Sequence, residues 1–137
     1  MTDSPELADA RRLLLACYRQ WQTLSEAEAG AIDAGRWPDV ERAQSAKQDL
    51  QQSIVSATET LRAAAQAAGV PAARLENDFH DLVDHLIQLE TRNHDQIVLK
   101  RKLAQEAWAQ LQVASQNLRQ IQRAYDVPRP ACWQSYS

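Results

Sequence analysis

From Ala72 to Tyr125 the chain runs for more than fifty residues without a proline or a glycine. An unbroken helix over that stretch would be roughly 80 Å long at 1.5 Å per residue, more than a small globule can enclose. Its apolar face therefore needs partners. The seam reads Leu75, Phe79, Leu82, Leu86, Leu89, Asn93, Ile97, Lys100, Ala104, Ala107, Leu111, Ala114, Leu118, Ile121 and Tyr125. Steps of four and three alternate except for a four-four step across Asn93, the stutter that marks a seam passing from one set of packing partners to another. A fold-back into a fourth helix at Asn93 to Gln96 is the alternative. The polar run Glu90 to Asp95 contains no breaker, so one continuous helix is expected.

The remaining sequence reads as two shorter helices. Ser4, Pro5 and Glu6 form a helix start, with a capping hydroxyl, a proline suited to the first turn and an acid at the positive end of the dipole. Leu7, Ala10, Leu14, Cys17, Trp21, Leu24, Glu28 and Ala31 then follow at three-four spacing, widened by Leu13, Tyr18 and Ile32 into the broad stripe of a bundle helix. Gly35 is placed to end it in a left-handed cap. A second helix from Pro38 to Ala68 carries Val40, Ala43, Lys47, Leu50, Ile54, Ala57, Leu61, Ala64 and Ala68. Lys47 is the discordant member of that seam, expected to snorkel to solvent or to fix register. Gly69, Val70 and Pro71 stop the helix.

The fold class is therefore all-α: an antiparallel hairpin of helices over residues 5–34 and 38–68, plus a long third helix over 72–125 in one domain. Residues 126–137 read as a flexible tail, with Pro128 and Pro130 ending the helix. The hairpin is roughly 45 Å long, so it can cover the third helix only as far as about Asn93. The second half, with Ile97, Leu103, Ala107, Leu111, Leu118 and Ile121, is expected to stand uncovered as an interaction surface.

Composition excludes several classes of function. Few β-branched and aromatic residues argue against a sheet, and a net charge of −3 gives no basis for binding nucleic acid or an anionic membrane. The run Lys100, Arg101, Lys102 fans around the helix as a solvated face. The longest apolar run, Leu13 to Cys17, is too short for a membrane span or a signal-peptide core, and a cytoplasmic protein is expected. Cys17 and Cys132 show no metal or redox spacing.

Chemistry is equally hard to place. Glu76, His80 and Asp84 lie at four-residue steps, as do Asp81 and His85, but no Glu-x-x-His occurs and the first two helices offer no obvious inward set of carboxylates. Those residues read as a hydrated surface. No nucleophile motif or phosphate loop is present, so neither catalysis nor a cofactor is expected.

Two segments bring a family into view. The junction Ala31-Ile32-Asp33-Ala34-Gly35-Arg36-Trp37, followed by Val40-Glu41, Lys47 and Leu50, resembles the "Ile, small, Gly, basic, aromatic" turn of the FlgN/FliT-type chaperones of flagellar type III export. Leu89-Glu90-Thr91-Arg92-Asn93 leading into Ile97 is similar to that family's Leu-x-x-Arg-Asn segment, with Tyr125 closing the helix. The family often follows that tyrosine with a glycine, where this chain has Asp126-Val127-Pro128. The resemblance implies a cytoplasmic chaperone that binds the C-terminal amphipathic helix of a flagellar hook-associated or filament-cap protein. It also implies contact with the export gate, carried here by Tyr125 or by the tail residues Trp133 and Tyr136. The competing reading is a homodimeric coiled-coil structural or adaptor protein that covers the same row with a second copy of itself.

Overall fold

The computed structural model describes residues 4–125, and they form three helices: α1 (Pro5–Ala34), α2 (Trp37–Ala68) and α3 (Ala72–Ala124). Ser4 caps α1 by accepting a hydrogen bond from the Leu7 N–H at 3.2 Å, and Pro5 and Glu6 occupy the first turn. Both hairpin helices stop in the same way. Gly35 and Gly69 take φ values of 70° and 72°, a left-handed conformation that glycine adopts without strain. At each end the next two N–H groups return to the last turn, Gly35 to Ile32 and Arg36 to Ala31, then Gly69 to Gln66 and Val70 to Ala65. Helix α3 is unbroken through Asn93 over its 53 residues.

Two compact units divide the chain, the first ending at Ile97 and the second beginning at Val98. In the first, Leu7, Ala10, Leu14 and Cys17 of α1 bury against Leu50, Ala57, Leu61 and Ala65 of α2 and Leu75 of α3. Tyr18, Trp21, Ile54 and Phe79 pack around them. A smaller apolar cluster of Ala31, Ile32 and Val40, with Ile97 against it, lies at the hairpin turn. Each fully buried leucine, isoleucine or valine among them contributes about 1.5–3 kcal/mol.

Several seam positions differ from the periodic reading. Ser25 and Ala65, each one residue past the predicted seam, are fully buried, while the seam residues Leu24 and Ala64 pack part-buried against the core. Leu13, expected to widen the core stripe, is 52% exposed. The cause is geometric: an α-helix turns once in 3.6 residues, so a strict 3.5-residue seam drifts around a long straight helix, and α1 absorbs the drift through the four-residue steps Cys17, Trp21, Ser25. Of the two expectations for Lys47, snorkelling is corrected. The side chain does not reach solvent but is buried, for reasons that lie in the polar layer described next.

Candidate functional site

Ser25, Glu28, Lys47 and Asn93 are all buried, in a core otherwise made of apolar side chains. Along α1, Ser25 and Glu28 fall between the residues of the larger apolar cluster and those of the smaller one. Lys47 donates to Glu28 Oε1 at 2.9 Å and to Glu90 Oε1 at 2.6 Å. Glu90 Oε1 also accepts from the Trp21 indole at 3.1 Å and the Ser25 hydroxyl at 2.7 Å. Asn93 Nδ2 donates to the Ser25 carbonyl at 2.9 Å and to Glu28 at 2.8 Å. One lysine from α2 thus joins a glutamate from α1 to one from α3, with its Nζ 5.4 Å from the centre of the Trp21 ring. Burial by itself would push the Glu90 carboxyl up, but hydrogen bonds from Lys47, Ser25 and Trp21 outweigh it and hold the group below the ordinary carboxylate range.

This layer sets register. A buried charge is tolerable only when paired and hydrogen-bonded, and sliding α3 by one turn would take Glu90 away from Lys47 and Ser25 and bury Asn93 away from Glu28, leaving the Lys47–Glu28 pair without its α3 partners. Arg92 adds an ion pair to Asp33 at 3.6 Å, and Arg11 reaches Asp78 at 3.3 Å, both tying the first part of α3 to α1. Of the carboxylates on helices one and two, Glu28 alone is buried among the described residues, one inward carboxylate and not a set. It sits in the predicted seam, but its partners lie too far along the chain to be paired with it by spacing.

The residues expected to bind a partner fall into three sets. Leu103, Ala107, Leu111, Leu118, Ile121 and Tyr125 are exposed, Leu118 at 66% and Tyr125 at 81%. Ile97 stands apart, half-buried against Ala31, Ile32 and Val40. Trp133 and Tyr136 lie outside the described residues. Steps of 100° place Leu103, Ala107, Leu111, Ala114, Leu118, Ile121 and Tyr125 within an arc of about 80° on α3. Leu99 and Trp108, which periodicity passed over, border this stripe and are also exposed.

A second apolar surface lies wholly within the first unit. Between α2 and α3 an open groove of about 440 Å³ is lined by Ile54, Val55, Val83, Leu86 and Ile87, with Tyr18 and Trp21 of α1 beneath. Tyr18 meets Phe79 edge-on at 5.7 Å, and its hydroxyl pKa is raised, chiefly by burial. Only Ile54 of the groove's aliphatic wall on α2 is in the predicted seam. Val55 and Ile87 sit one residue off it, where a period cannot tell groove from surface.

The acidic and histidine cluster from Glu76 to His85 is exposed, and no group of three residues able to hold a metal ion occurs among the described residues. No helix among them is long and apolar enough to cross a membrane. Compared with family models, curated proteins and solved structures, the chain finds no match.

Proposed function

We propose that this chain is a chaperone of the FlgN/FliT type, which in the cytoplasm holds the C-terminal amphipathic helix of a flagellar hook-associated or filament-cap protein before export. The observation that carries the reading is the apolar stripe from Leu103 to Tyr125, exposed along an unbroken helix. Seven residues on one face of six helical turns form a surface larger than scattered exposed leucines account for. A partner helix laying its own apolar stripe there completes a packing that neither chain completes alone. The partner is held soluble, and no catalytic group is required.

Co-expression with the C-terminal segments of candidate hook-associated and cap proteins tests this. A one-to-one complex that survives size exclusion supports it. A protein that captures none of them and exists in light scattering as a dilution-resistant dimer contradicts it, because a second copy then covers the stripe. Repeating the capture without residues 126–137 tests the assignment of Trp133 and Tyr136 as gate contacts rather than client contacts; client binding should be unchanged.

A further inference from the structure

Charge is divided unequally along the chain. Residues 98–125 carry five basic side chains, Lys100, Arg101, Lys102, Arg119 and Arg123, against the single acid Glu106, a net of +4 in a chain whose total is −3. Residues 1–97 hold sixteen acids and nine basic residues, a net of −7. The boundary between the two signs coincides with the boundary between the two compact units at Ile97 and Val98.

Position on the helix sharpens this. At 100° per residue Arg101 and Arg119 fall on one line along α3, about 27 Å apart, flanking the apolar stripe. Trp108 falls close to the same line between them. Trp108, Leu111, Gln112, Ser115, Gln116 and Arg119 line a shallow depression where this flank meets the stripe. The opposite flank holds Glu106, Gln110 and Asn117 and is nearly neutral. Arg101, Trp108 and Arg119 are all exposed.

We infer that residues 98–125 select an acidic amphipathic helix, one whose apolar seam is bordered by carboxylates on the side that meets the Arg101–Trp108–Arg119 line. This rests on the helix-binding reading above and adds the chemistry of the partner. The charge asymmetry argues against self-pairing through this stretch, since a second copy would bring another +4 against the first. Nucleic acid is disfavoured by the same geometry, because a wide stripe of leucine, isoleucine and alanine has no use against phosphates. Complementary charge acts mainly through faster encounter and choice of partner, and it weakens as salt screens it.

The test uses the full chain and three synthetic amphipathic helices that share one leucine seam and carry glutamate, glutamine or lysine on the flanks. Binding is read by fluorescence anisotropy, with light scattering on the protein alone. The glutamate helix should bind at least about fivefold more tightly than the lysine helix at about 50 mM salt, and the gap should narrow by about 500 mM. The double substitution Arg101→Glu and Arg119→Glu, both at exposed positions, brings the net charge of the stretch to zero and should remove the preference for the glutamate helix with helicity unchanged. Equal binding of all three helices would overturn the charge inference and leave the helix-binding reading standing, whereas no binding of any would overturn both. A salt-sensitive dimer of the protein alone would assign the stripe to the acidic first unit of a second copy and overturn the inference. Tighter binding to a mixed-sequence oligonucleotide than to the glutamate helix would do the same.

Discussion

Lys47 is the residue on which the first unit is most exposed to single changes. With side chains 6% and 3% exposed, Lys47 and Glu28 form an ion pair with almost no water to replace either partner. Lys47→Met should lower unfolding stability in urea by about 3–5 kcal/mol, because it strands Glu28 in the interior. Replacing the set together, with Glu28→Gln, Lys47→Met and Glu90→Gln, should recover much of that loss, which separates the cost of an orphaned charge from the worth of the pair. The pH dependence has a definite sign. Glu90 is held below its ordinary range in the folded state, so its contribution is present above its unfolded pKa and is lost as pH falls through the folded value. Thermal melts should therefore show stability declining as pH falls through and below the ordinary glutamate range, with a shallower decline in Glu90→Gln. Gly30 offers a contrasting case in mid-helix. A Cβ there would meet nothing within 4 Å, so Gly30→Ala should raise stability by about 0.5–1 kcal/mol. Periodicity placed Glu28, Lys47 and Asn93 in their seams but could not join them. Their bonds span 19 to 68 positions, and nothing local to Lys47 reveals that two glutamates wait for it.

At the scale of elements, the ends of the hairpin helices were legible because each is written in local chemistry. Ser4 before Pro5, and Gly35 and Gly69 just past the last turns, specify caps without reference to the rest of the molecule. Ser4→Ala should cost about 1 kcal/mol, read as a fall in urea midpoint. The continuity of α3 was legible from the absence of any breaker. The inward face was legible only to within one residue, since Ser25 is buried more fully than its seam neighbour Leu24, while the α2/α3 groove, which depends on how far two helices stand apart, shares only Ile54 and Leu86 with the seams of those two helices. The segment Leu89 to Asn93, which carries half of the family resemblance, supplies Glu90 and Asn93 to the polar layer and Arg92 to Asp33. Those residues anchor α3. A resemblance carried on them bears on the fold first and on client binding only through it.

For the whole molecule, the division at Ile97 separates a unit with a core from one whose described side chains, over residues 98–125, are almost all exposed. Amides from Val98 to Ala124 should exchange faster than those from Leu75 to Ile97, since local opening there exposes no buried apolar surface. An acidic partner helix should slow them selectively. The whole-chain charge of −3 concealed the basic character of this stretch, because opposite signs on two units cancel in a sum. The central claim is that the stripe on residues 103–125 belongs to a partner and not to the protein's own core. The most direct measurement is urea unfolding of Leu118→Asp alongside its capture of an amphipathic helix. An unchanged unfolding midpoint with capture abolished is the predicted result; a loss of more than about 2 kcal/mol of stability, the size expected for a core leucine, would contradict it.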